Sequence, residues 1–245
     1  MFEDSVRQIS KRLDDSATVL DVGGWARPFN RADWVLDLMP HETRGMLGHD
    51  GPEHERFGSK TWVQRDICAR DPWPFEDGFF DFVVCSHTLE DLRDPVWVCS
   101  ELQRVARAGY IEVPSRLEEQ SPNVQGPWVG WGHHHWLVDV EGEDISFVFK
   151  PHILGGLPGS SFPVGFADRL SDGDRIQMLW WEGGFGYRER LFYEPDELNA
   201  YLTEFVRDNL GRGSPGPEAG PGRTLPTAAQ RLLRRARDAA RARSG

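Results

Sequence analysis

Acidic side chains fall in a regular relation to the apolar runs of this chain. Asp21 lies in Val19-Leu-Asp-Val-Gly-Gly, an apolar run that passes into a glycine turn. Glycine lets a backbone approach a ligand closely, and an acid at that place can accept hydrogen bonds from a cationic amine, so Asp21, Gly23 and Gly24 form the first candidate group. Asp37 ends the next apolar run, Trp34-Val-Leu-Asp, 16 residues after Asp21. An acid there can accept both hydroxyls of a ribose. Asp66-Ile67 closes a third run, where a carboxylate can take the amino group of adenine. A fourth run begins near Asp81 and ends in Ser86-His87. Ligands of open α/β sheets sit at the carboxyl ends of the strands, so these pieces in this order describe a nucleoside site.

A second constellation lies further on. Gly126-Pro-Trp-Val-Gly-Trp-Gly-His-His-His-Trp holds three Trp and three His in eleven residues. Trp128, Trp131 and Trp136, with Trp181 and Tyr187 downstream, offer ring faces of the kind that pack on a polyhydroxylated ligand. A satellite core under long loops uses the same residues. His133 and His135 share a face if the run is extended. Packing or polar histidines, a general base, and a metal site are three readings of His133, His134 and His135. His87, Glu90 and Asp91 form a further cluster. One helical turn would place His87 and Asp91 on one face, where they could hold a cation such as Mg2+ or one another, and a helix cap or ion pair is the plainer account.

The elements that would carry these residues read as strands alternating with helices or loops. Residues 5–14 suit a short amphipathic helix. Strands are expected at 18–22, 34–38, 61–67, 79–86 and 110–114, with a helix opened by Asp94-Pro95 and running to about 106. This is the pattern of a parallel α/β sheet. After Ser115 the pattern changes to a β-hairpin, 136–140 and 145–149 with Gly142 in its turn, then strands near 177–181 and 188–193 and a helix over 195–210. Residues 211–226 read as a Gly/Pro linker. The expected division is a core over 1–115, a β-rich acceptor cap over 116–195, a returning helix over 196–210, and a linker with an Arg-rich tail over 211–245.

Composition narrows the partners. The net charge is −11, and the last 23 residues carry seven Arg and one Asp, a balance of +6 that leaves −17 on the remainder. Such a body argues against nucleic acid as the main substrate, because phosphate contacts dominate that binding. No apolar run approaches the roughly 20 residues of a membrane span, and the charged beginning has no signal-peptide character, so a cytoplasmic location is expected. Cys68, Cys85 and Cys99 are odd in number and lie in no paired motif, which points to free buried thiols.

The runs VLDVGG, WVLDL, RDI, PWPFEDGFFDFVVCSHTLEDLRDP and AGYIEVPS resemble class I S-adenosylmethionine-dependent methyltransferases over about residues 16–115. The resemblance implies a Rossmann-like, mostly parallel sheet with S-adenosyl-L-methionine as cofactor. Gly23 and Gly24 would meet its methionine part, Asp37 the ribose and Asp66 the adenine, with Asp21, Ile67 and Ser86 beside them. The third glycine of the family turn is replaced by Trp25-Ala26-Arg27, and little room remains before Val35 for the usual first helix. A nicotinamide dehydrogenase would need a fuller G-x-G-x-x-G and a helix to receive pyrophosphate, and neither is present.

SHTLEDLRDPVWVCSE and GHHHWLV are similar to a subgroup of actinobacterial sugar and polysaccharide methyltransferases, including those of mycobacterial methylmannose polysaccharide. Where similar enzymes carry SHxLEH, this chain has Asp91 at the last position. The resemblance implies methyl transfer to a hydroxyl of a small-molecule or oligosaccharide acceptor. The catalytic base is then expected in the His133–His135 run rather than at His87. A homodimer is left open. The rival is a non-catalytic carbohydrate- or metal-binding protein on a degenerate methyltransferase fold.

Overall fold

Val19, Leu20 and Val22 cannot all turn to one face of a strand, so the run needs cover on both sides, as in the middle of a parallel sheet. In the computed structural model, which describes residues 1–48 and 51–212, β1 (Val19–Val22) is buried throughout and lies between β2 (Trp34–Asp37) and β4 (Phe80–Ser86). β3 (Trp62–Gln64) flanks β2, and β5 (Ala106–Pro114) flanks β4, all parallel. The sixth strand, β8 (Ile176–Glu182), runs antiparallel to β5, which gives the order β3-β2-β1-β4-β5-β8. The expected mixed α/β class with a mostly parallel central sheet is the observed one.

Two compact units divide the chain. The first comprises residues 1–115, 134–150 and 176–191. It includes α1 (Glu3–Arg12) and α2 (Pro95–Val105). Asp94 caps α2 by accepting from Trp97 N at 3.0 Å, and Pro95 fills the first turn, where no amide donor is needed. Val98, Cys99, Leu102 and Val105 of α2 are buried in the main core. The hairpin β6 (Trp136–Glu141) and β7 (Asp144–Phe149), with β9 (Gly186–Glu189) parallel to β7, makes a second sheet of this unit. Its Trp136, Val138, Ile145 and Phe147 enter the same core as Leu89 and Cys85. β9 is shorter than the run 188–193 suggested, because β7 offers it pairing only from Asp144 to Phe147.

The second unit comprises residues 116–133, 151–175 and 192 onward. It holds α3 (Arg116–Glu119) and α4 (Pro195–Asn209), and its only ladder among the described residues is the isolated bridge Pro122–Val129. Phe162 and Phe166 stack at 3.9 Å within its core of Leu117, Leu170 and Val206. The strands after Ser115 thus fall in 136–149 and 176–189 and pack with the first unit, leaving the second helical and looped. The linker and Arg-rich tail expected over 211–245 lie outside the described residues, apart from Gly211 and Arg212.

β8 owes its seat partly to Gly109. Gly109 pairs with Trp181, and a β-carbon on it would stand 2.7 Å from the indole ring. Overpacking of this kind costs about 1–3 kcal/mol. Gly109→Ala is expected to lower stability by that amount in urea unfolding, and a change below about 0.5 kcal/mol would contradict the close packing.

Candidate cofactor and catalytic site

The glycine turn follows β1 directly. Gly23 has φ +76°, and a β-carbon on it would collide with the Thr88 side chain, so glycine is required for conformation and for space. Gly23 N donates to Leu36 O at 2.9 Å, tying the turn to β2. A side chain on Gly24 would run into the Asp21 carboxylate. No helix forms between Gly23 and Asp33. Asp21 is 3% exposed, and Phe29 N donates to its Oδ2 at 2.8 Å. Burial, aided by the nearby Asp37 charge, raises the Asp21 pKa to about 7.

Asp37 ends β2 and is also buried. Its two oxygens accept from Trp25 N at 3.0 Å and Met39 N at 2.7 Å. Burial raises its pKa, and these backbone amides partly offset the effect. Neither Asp21 nor Asp37 meets a cationic side chain among the described residues. Two buried carboxylates held only by amides at the ends of adjacent strands suit a ligand that brings its own positive charge and hydroxyl donors. The residues present therefore fit a cationic nucleoside.

Asp66 differs. It is partly exposed, and its Oδ2 accepts from Arg93 at 2.7 Å, the main cause of its lowered pKa. Cys68 N donates to its other oxygen at 2.9 Å, while Ile67 is buried beside it. An adenine amino group at Asp66 would share the carboxylate with Arg93.

At the ends of β4 and β5 the structure assembles a cluster around Glu112, a residue the sequence reading passed over. Ser86 pairs with Glu112 in the β-ladder, and Ser86 Oγ donates to its Oε1 at 3.0 Å. Ser5 Oγ at 2.5 Å and Tyr110 OH at 2.7 Å donate to Oε2, and Phe2 N donates to Oε1 at 3.1 Å. His87 Nε2 lies 3.2 Å from Oε1. Burial alone would raise the Glu112 pKa, but His87 and these donors hold it down at about 2. The sequence signal was an acid inside the otherwise apolar strand Tyr110-Ile-Glu-Val, which is tolerable only with partners.

His87 adopts φ +51°, uncommon outside glycine, and its own amide donates to Glu112 O at 2.8 Å. Its Nδ1 is 3.6 Å from Glu90, longer than a hydrogen bond. Burial disfavours the charged ring, yet Glu112 and Glu90 overcome this and raise the His87 pKa to about 9. At neutral pH His87 is an imidazolium, able to donate a proton but not to accept one. Glu90 is 1% exposed, and neither of its oxygens has a hydrogen-bond partner among the described residues. Asp91 faces His134 instead, at 3.8 Å, so Glu90 and Asp91 attend different histidines.

The remaining candidates separate by environment. The His134 side chain is nearly buried, whereas His133 and His135 are exposed. His135 N donates to Glu90 O at 2.7 Å, fixing the start of β6. His133 lies edge-on to Trp131 in the second unit. Trp128 is 57% exposed. Trp136 and Trp181 are instead core residues, Trp136 with its Nε1 bonded to Leu92 O at 2.6 Å, and Tyr187 packs against the same core. The three cysteines are buried free thiols.

Residues 44–111 match the family described as "Methyltransferase domain". The matched residues all lie within the first unit. Among solved structures, the YcgJ protein of Bacillus subtilis is similar at 16% identity and TM-score 0.37, over 46% of this chain and 52% of that one. An S-adenosylmethionine-dependent methyltransferase of Aquifex aeolicus is similar at 21% identity and TM-score 0.33, over 46% and 63%. One from Methanosarcina mazei is similar at 17% and 0.36, over 47% and 59%. The chain spans about half the length of such structures. No curated protein matches the chain. No helix among the described residues is long and apolar enough to cross a membrane.

Burial of Asp21 makes stability depend on pH. The folded pKa of Asp21, about 7, lies above its unfolded value near 3.8, so the native state binds the extra proton between these values. Stability from this group is present at low pH and lost as pH rises toward 7. Asp21→Asn removes the titration. Relative to wild type, the variant should gain about 2–3 kcal/mol of stability between pH 5 and pH 8 in urea unfolding. A wild-type-to-variant difference that is flat with pH would show that Asp21 is not a costly buried charge.

Proposed function

We propose that this protein is an S-adenosylmethionine-dependent O-methyltransferase acting on a hydroxyl of a small molecule, a sugar or oligosaccharide, in the cytoplasm. The observation that carries the reading is the pair of buried carboxylates, Asp21 and Asp37, with no cationic side-chain partner among the described residues, at the carboxyl ends of adjacent parallel strands beside the Gly23 turn. Asp21 would face the positive charge of the donor and Asp37 its ribose hydroxyls. Leu38, 60% exposed next to Asp37, leaves apolar surface beside that place. When bound, S-adenosylmethionine supplies an electrophilic methyl group.

The chain's own residues must orient the acceptor and receive its proton. His87, already protonated, serves as a donor that orients an acceptor oxygen. The base belongs to the His133–His135 run, where His133 and His135 are exposed. Proton transfer by a placed side chain contributes about 10²–10⁴-fold. The open face of Trp128 suits the C–H face of a sugar ring. The sugar assignment draws on the resemblance of GHHHWLV and SHTLEDLRDP, since a fold leaves its acceptor open.

Two outcomes are expected. Asp37→Ala should weaken S-adenosylhomocysteine binding by about 1.5–3 kcal/mol in calorimetry, the scale of hydrogen bonds to a charged group. In an acceptor screen with labelled donor, at least one His→Ala change in the run should lower kcat by about 10²–10⁴-fold with donor binding intact. If all three variants keep wild-type kcat while His87→Ala does not, the base assignment is wrong.

A further inference from the structure

The glycine turn of this chain runs into a loop where the family it resembles places a helix. Residues 23–33 form neither helix nor strand, and a cavity of about 350 Å3 is lined by this loop and α1. That size is within the lower range of small-molecule sites. Its lining is unusual for a chain of net charge −11, because Arg7, Arg27 and Arg31 all face it, against one acid, Glu3.

The three arginines are differently placed. Arg31 is a fixed post: its Nη2 donates to the carbonyls of Asp14, Asp15 and Ala17 at 2.8, 3.1 and 3.0 Å, and its Nη1 is 3.3 Å from Asp33. Arg7 pairs with Asp4 on the surface, with both side chains more than 60% exposed, a pairing of small worth that a ligand can replace. The Arg27 guanidinium makes no hydrogen bond or ion pair with the described residues. Pro28 and Phe29 are buried next to it, so the wall that carries Arg27 is set. Phe29 also donates its amide to Asp21, which puts the cavity wall in direct contact with the cofactor-side carboxylate.

We propose that this cavity binds an anionic group, a phosphate or carboxylate, borne by the acceptor, with Arg27 as its main contact and Arg7 as the second. A planar guanidinium with unused donors matches two oxygens of such a group at once. The position follows from the loop: with no helix after the glycine turn, residues 27–31 and α1 enclose the cavity and rim it with positive charge. The inference rests on the methyltransferase reading only for the ligand's role as acceptor, since anion binding is measurable without methyl transfer.

The test is calorimetric titration of the full chain with glucose 6-phosphate, gluconate and inorganic phosphate, with glucose as the neutral control. The anions are expected to bind more tightly than glucose, and to weaken as salt rises. Arg27→Gln should lose about tenfold or more in affinity, the scale of a charge-assisted hydrogen bond, and Arg7→Gln less. Lys60→Gln, away from the cavity lining, should leave binding unchanged. Arg27 makes no contact that folding needs, so Arg27→Gln should melt as wild type does. The proposal is overturned if none of the three anions binds at millimolar concentration, or if Arg27→Gln binds them as wild type does. It is also overturned if Arg27→Gln loses tenfold in S-adenosylhomocysteine affinity while anion binding is unaffected, which would give the arginine to the donor. Failure of the anions with intact S-adenosylhomocysteine binding sinks this inference alone and leaves the methyltransferase reading standing.

Discussion

Burying a carboxylate is costly, and this fold does it repeatedly at one end of its central sheet. Asp21, Asp37, Glu90 and Glu112 are all below 9% exposed, at or just beyond the carboxyl ends of β1, β2, β4 and β5. Only Glu112 gains a full set of donors, and it does so by drawing His87, Ser86, Tyr110 and the start of α1 onto itself. Asp21 and Asp37 meet no cationic side chain among the described residues and are held by backbone amides. Under the proposed function these two acids face the donor's positive charge and its hydroxyls.

The positioning of this end follows from short-range constraints. Gly23 can enter the left-handed region, and Thr88 fills the space where a side chain would sit. His87, itself at positive φ, is fixed by the Glu112 carbonyl and carboxylate. His135, at the start of β6, is sewn to Glu90 through its amide. Elements far apart in sequence thus meet through backbone bonds.

Much of the fold was legible in the sequence, because buried parallel strands read as apolar runs and α2 announces itself through Asp94-Pro95 and its apolar stripe. The places of Asp21 and Asp37 in the buried strands β1 and β2, and the turn at Gly23, were legible too, because an apolar run that meets glycine marks where a strand must turn. Tertiary facts were less accessible. Trp136 and Trp181 look like ligand-facing aromatics in sequence, yet their indoles complete the core, Trp181 over the bare backbone of Gly109. Glu112 looked like an ordinary strand residue because its donors come from Ser5 and Phe2, more than 100 positions away. The Arg27 cavity depends on α1 folding over a loop and has no local sequence signature.

The central claim is that buried, cation-seeking acids bind a positively charged nucleoside, and calorimetric titration of S-adenosylmethionine at pH 5.5 and pH 7.0 tests it most directly. With its pKa near 7, Asp21 must give up a proton to face the ligand's charge at the lower pH. Affinity should therefore rise by about tenfold between the two, as expected for roughly one unit of protonation cost. Absence of binding at both pH values, or equal affinity at both, would contradict the account.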